Sequence, residues 1–178
     1  MLKIVAIVAV IIVALVAGLL AYAATKPGSL RVQRTASIKA APEKIFTLIN
    51  DFRSWGIWSP YEKKDPAMQR TLSGAASGQG AIYAWSGNGN VGQGRMEILE
   101  SSPPSRIAIK LDFIKPFEGH NLAEFTFEPD GKVTRVTWAM TGPTPFIGKV
   151  MSVFLDMDAM IGRDFEAGLA NLKAATEQ

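Results

Sequence analysis

The chain has 178 residues, with 19 Lys and Arg, 16 Asp and Glu, one His and no Cys. The missing cysteine excludes disulfides, thiolate catalysis and cysteine-based metal sites, and the single His excludes a multi-histidine centre. Without Lys3 and Lys26, 17 basic residues face 16 acidic ones, and they are interspersed, so no basic stripe is available for nucleic acid.

The first element is a run of 21 uncharged residues from Ile4 to Ala24. As a helix it spans roughly 30 Å, the thickness of a bilayer hydrocarbon core. Lipid offers no partners for backbone polar groups, which favours a helix there. The expectation is a retained transmembrane anchor over residues 1–24 and a linker over 25–28. A cleaved signal peptide is the rival, because Ala21-Tyr22-Ala23 fits a small-x-small cleavage site. Against it, the run before that site exceeds the roughly 7–15 residues usual for a signal core, and only one Lys precedes it. A buried core helix would show a polar stripe, and none interrupts the run. Lys26, Arg31, Arg34 and Lys39 follow it while Lys3 alone precedes it, which tilts the expected orientation towards a cytoplasmic domain.

Residues 29–178 form one domain of ordinary size. Leu30, Val32, Ala36 and Ile38 alternate with polar residues, as in a half-buried strand that Arg34 interrupts. Pro42 suits the first position of a helix and Glu43 its first turn. Ile45, Phe46, Leu48 and Ile49 mark its buried face. Asp51 to Ser59 reads as a short helix or tight turn stopped by Pro60, and Tyr61 to Pro66 as a polar loop. Strands are predicted over Met68–Leu72, Ala81–Ser86 and Arg95–Glu100. Asn-Gly within Gly87 to Gly94 signals a hairpin tip. Two clearer strands run from Ile107 to Phe113 and from Ala123 to Phe127, with Gly119 to Asn121 expected in the hairpin loop between them. Pro129-Asp-Gly-Lys132 is a turn, followed by a strand over Val133–Thr141. From Pro145 the period changes to three and four, through Phe146, Val150, Phe154, Met157, Ile161, Phe165, Leu169 and Leu172. This predicts one long amphipathic helix, and a bend fits between Leu155 and Asp158. The order predicts an α+β fold: a bent antiparallel sheet covered by the terminal helix, with a lumen between them.

That order resembles the polyketide cyclase/dehydrase and lipid-transport family of the START/Bet v 1-like superfamily. The matching stretches are Ala41-Pro-Glu-Lys-Ile-Phe46, Trp55-Gly-Ile-Trp-Ser-Pro-Tyr61 and Ile161-Gly-Arg-Asp-Phe-Glu-Ala-Gly-Leu-Ala-Asn-Leu-Lys173. The likeness covers about residues 31 to 176, and some bacterial members similar to this chain carry an N-terminal membrane helix. The resemblance implies a helix-grip fold with an internal cavity for an apolar ligand. It does not fix an activity, because such members include carriers, cyclases and hydratases.

Candidate cavity residues on the sheet are Trp85, Phe113, Phe125, Trp138 and Met140, opposed by Met157, Met160 and Ile161 from the helix. Ordinary core is the competing reading for all of them, since periodicity does not separate core from cavity wall. Trp55, Trp58 and Tyr61 fit either the cavity mouth, lipid headgroups or a core plug at one end of the sheet. Glu124 and Arg135 are expected to pair across strands on the outer face. His120 has no partner visible in the sequence and reads as a solvated loop residue. No catalytic residue, cofactor or metal is assigned. The leading expectation is a single-pass protein of a bacterial-type inner membrane that binds a hydrophobic small molecule or lipid. The alternatives are a cyclase- or hydratase-type enzyme on a lipophilic substrate, and a membrane protein-interaction module whose protein partner the sequence does not name.

Overall fold

A computed structural model describes residues 1–177. Helix α1 (Leu2–Ala24) is followed by strand β1 (Ser29–Ile38) and helix α2 (Pro42–Asn50). A single 3-10 turn (Phe52–Ser54) leads into two short helices, α3 (Trp55–Trp58) and α4 (Tyr61–Lys64). Six strands come next: β2 (Gln69–Gly74), β3 (Ala81–Ser86), β4 (Gln93–Ser102), β5 (Arg106–Lys115), β6 (Gly119–Asp130) and β7 (Val133–Pro143). Helices α5 (Phe146–Phe154) and α6 (Met157–Thr176) close the chain.

All neighbouring strands pair antiparallel, in the order β1-β7-β6-β5-β4-β3-β2. Register aligns one apolar face across the sheet. Ile107 lies opposite Phe125, Phe125 opposite Trp138, and Ala123 opposite Met140. Side chains alternate faces along each strand, so these pairs stack as one concave layer. Helix α6 covers it with Phe165, Leu169 and Leu172, all buried. The Phe165 ring lies flat on Trp138, with centroids 4.0 Å apart and planes 8° from parallel.

Two α6 glycines permit this approach. A Cβ on Gly168 would stand 2.7 Å from the Trp138 ring, and one on Gly162 would stand 1.9 Å from the Arg34 guanidinium. Arg34 breaks the apolar alternation of β1 for a reason the sequence hides. It lies opposite Trp138 and its guanidinium reaches beneath Gly162 to Asp158 (2.9 Å) and Glu166 (2.7 Å). It ties the sheet edge to the helix, and it holds the Asp158 carboxyl below the usual carboxylate range.

Three expectations need correction. The stretch from Tyr61 is a helical turn rather than a loop, with Glu62 in its first turn and Lys63 and Lys64 in its last, the charge order a helix dipole favours. His120 lies in β6 opposite Asp112, because that strand begins four residues earlier than alternation of apolar residues shows. Glu124 pairs with Arg106, not Arg135, since the β6–β7 register places Ala139 opposite Glu124 and Arg135 opposite Glu128. Arg135 binds Asp130 at 2.8 Å instead. The bend expected between Leu155 and Asp158 is a break between α5 and the long helix α6, where Asp156 accepts from the Ala159 N–H and caps α6.

Candidate functional site

Between α6, α4 and the concave face lies a cavity of about 410 Å³, within the range of small-molecule sites. Ten of the eleven residues selected from sequence stand on its wall: Trp55, Tyr61, Trp85, Phe113, Phe125, Trp138, Met140, Met157, Met160 and Ile161. Trp58 does not. It is fully buried one layer behind, edge-on to Phe125 (5.9 Å) and Trp138 (5.6 Å), so its role is core.

Helix α2 sets two of the tryptophans. The last carbonyls of a helix lack partners within it, and two of those in α2 are used by indoles. Trp55 Nε1 donates to the Ile49 carbonyl (2.9 Å) and Trp58 Nε1 to that of Leu48 (3.2 Å). Trp85 Nε1 donates to the Val91 carbonyl at 2.9 Å, which fastens the β3–β4 loop over the cavity. Trp85 lies across Gly94, where a Cβ would come within 2.4 Å of its ring. Of the four tryptophans, only Trp138 leaves its indole N–H without a partner among the described residues, and the Ser59 hydroxyl on the same wall is likewise unpartnered.

One side of the wall is polar, and sequence reasoning missed it. Glu62 accepts a short hydrogen bond from the Tyr83 hydroxyl and pairs with Arg70 at 2.6 Å. Asp164 pairs with Lys64 at 2.6 Å beside Tyr61. Burial raises both phenols above their ordinary range, with Asp164 adding to the effect on Tyr61 and Glu62 on Tyr83. The carboxylates are therefore ion-paired and the phenols hold their protons. Lys64, Asn90 and Met160 are the exposed members of the lining and mark the rim. Met68, Val91, Met96, Leu111, Ala123 and Phe165 complete the apolar wall. Glu62, Lys64 and Asp164 escaped notice because charges on short helices and exposed faces carry no periodic signal. The unassigned Tyr83 alternates with Ala81 and Trp85 on one face of β3, which was the available clue.

No group of three or more His, Asp or Glu among the described residues is placed to hold a metal ion. His120 stands outside the cavity, with Nδ1 2.8 Å from Asp112. That contact raises its pKa above the ordinary imidazole value, against a smaller opposing effect of burial.

A bent antiparallel sheet wrapped on a long C-terminal helix, with a cavity between them, defines a helix-grip fold. The sequence profile described as polyketide cyclase / dehydrase and lipid transport matches residues 29–177, and the chain belongs to that family. Solved structures share the fold at low identity. A protein from Chromobacterium violaceum is 15% identical with a TM-score of 0.58, over 85% of this chain and 99% of its own. The Aha1 dimer of Colwellia psychrerythraea is 18% identical with a TM-score of 0.59, over 83% and 96%. The di-domain aromatase/cyclase BexL of the BE-7585A biosynthetic pathway is 12% identical with a TM-score of 0.63, over 88% of this chain and 53% of that one. No curated protein matches the sequence.

Proposed function

We propose that the chain is a membrane-anchored binding protein for a lipophilic small molecule or lipid. Residues 1–24 are its anchor, 25–28 its linker and 29–178 its binding domain. The carrying observation is the cavity of about 410 Å³ walled by Trp, Phe, Met and Ile side chains. Each buried methylene of a ligand contributes about 0.8 kcal/mol, so an apolar cavity supplies affinity without chemistry. Met140, Met157 and Met160 suit ligands of variable shape. The α1 helix is long and apolar enough to cross a bilayer, and residues 3–18 are all exposed. The basic residues that follow it favour a cytoplasmic domain.

A cyclase- or hydratase-type reaction is the second reading, favoured by Glu62 and Asp164 on the wall. It ranks lower because Arg70 and Lys64 already engage both carboxylates. A pure interaction module would have a filled core, which an open cavity argues against.

The test is photo-crosslinking of the full chain in membranes that contain a diazirine-bearing fatty acyl lipid. The expected adducts fall on cavity residues such as Phe113 and Met157 as well as on α1. Ala123→Trp, which fills the cavity, should remove the first set and keep the second. Adducts confined to α1 would end the lipid-binding reading.

A further inference from the structure

Antiparallel register places the two ends of the sheet without ambiguity. Ser29 lies opposite Pro143, Phe113 opposite Gly119, Lys115 opposite Gln93, and Ser86 opposite both Gln93 and Gln69. One end of the sheet therefore carries the start of β1, the end of β7, the β5–β6 tip and the β3–β4 loop. The chain leaves α1 at this end, only four residues before β1. Thr144 N–H donates to the Gly28 carbonyl at 2.8 Å, which joins the linker to the segment entering α5. Helix α5 packs beside α1.

The exposed apolar side chains collect at the same end. From β1 onward the described residues include ten large hydrophobic side chains that are exposed, and seven of them lie here: Ile114, Phe117, Phe146, Ile147, Phe154, Leu155 and Met160. Helix α5 buries none of its residues against the domain, although seven of its nine are apolar or glycine with only Lys149 and Ser152 polar. A soluble face of this composition is unusual, and a concentrated apolar patch marks a docking surface. The cavity rim is also at this end, through Asn90 of the β3–β4 loop and Met160 of the first α6 turns.

We propose that this end docks on the bilayer surface, with Phe117 and the Phe146–Leu155 segment inserted among the lipids and the cavity mouth facing the membrane. The inference rests on the anchored reading above. Its occupant follows from the linker, which holds this face beside the membrane that α1 crosses. Charge here is mixed, with Lys26, Lys115 and Lys149 against Glu118 and Asp156. Insertion of apolar side chains, rather than attraction to anionic lipid, is the recognising chemistry. A lipophilic ligand then passes between membrane and cavity without crossing water.

The absence of cysteine makes the test direct. Single cysteines at Val10, Phe117, Phe154 and Lys132 of the full chain are labelled with an environment-sensitive fluorophore. The protein is then reconstituted in phosphatidylcholine vesicles containing nitroxide-labelled lipid. Lys132 lies in the β6–β7 turn at the opposite end. The expected result is strong quenching at Val10, Phe117 and Phe154 and several-fold weaker quenching at Lys132. Quenching at Val10, with Phe117 and Phe154 no more quenched than Lys132, overturns the docking and leaves the anchor standing. Absence of quenching at Val10 overturns the anchor, and the docking with it.

Discussion

Helices α5 and α6 carry one continuous pattern of apolar residues, yet they have opposite surroundings. In α6 the stripe of Phe165, Leu169 and Leu172 is at most 2% exposed. In α5, Phe146 and Phe154 are 50% and 69% exposed. The same periodicity thus describes a helix gripped by a sheet and one that buries none of its residues. A hydrophobic period states that a face leaves water, and says nothing about whether protein or lipid receives it.

Substitutions at matched phenylalanines test this contrast most strongly. Phe165→Ala should cost about 3–5 kcal/mol, since it empties a site packed flat on Trp138. Phe154→Ala should stay within about 0.5 kcal/mol in detergent. Chemical denaturation of the two variants measures both, and a similar loss at Phe154 would show that α5 is gripped as well. Gly168→Ala comes next, at about 1–3 kcal/mol, because the new Cβ meets a ring locked between neighbours. The same denaturation series should show a stable α6 variant only if Trp138 can shift.

Arg34→Met should cost less, since each partly exposed ion pair contributes little. Its destabilisation should shrink at acidic pH. The Asp158 pKa is depressed in the folded state, so the stability it contributes is present above its unfolded pKa and fades as pH falls through the folded value. The smallest effect belongs to His120. Its raised pKa contributes stability below the ordinary imidazole value that is lost as pH rises through the folded one. Titration by NMR should place its midpoint above that of a free imidazole, and Asp112→Asn should bring it down.

Much of the architecture was legible because register and period are strong local signals. The strands from Ile107 onward, the Pro42 helix start and the α6 stripe all announce themselves. Ten cavity residues were legible for the same reason, as large apolar side chains at inward positions. What stayed hidden depends on contacts remote in sequence. Arg34 looked like an interruption of β1 because its partners Asp158 and Glu166 lie more than 120 residues away. Trp58 could not be told from Trp55, since both follow α2 and both indoles use its carbonyls. Only the packing of Phe125 and Trp138 puts one behind the wall and the other on it. The polar side formed by Glu62 and Asp164 needed α4 and α6 to be brought together.

The four residues from Thr25 to Gly28 between α1 and β1 also limit where a protein anchored by α1 could exchange a ligand. Fully extended they reach roughly 14 Å, and a folded domain of this length has a radius of gyration near 15 Å. On the anchored reading, the linker keeps the domain within a few tens of ångströms of its own bilayer. Transfer to a second membrane would require that membrane, or a soluble acceptor, to come within that range. On that reading the protein suits exchange at close quarters, not ferrying across a wide aqueous gap.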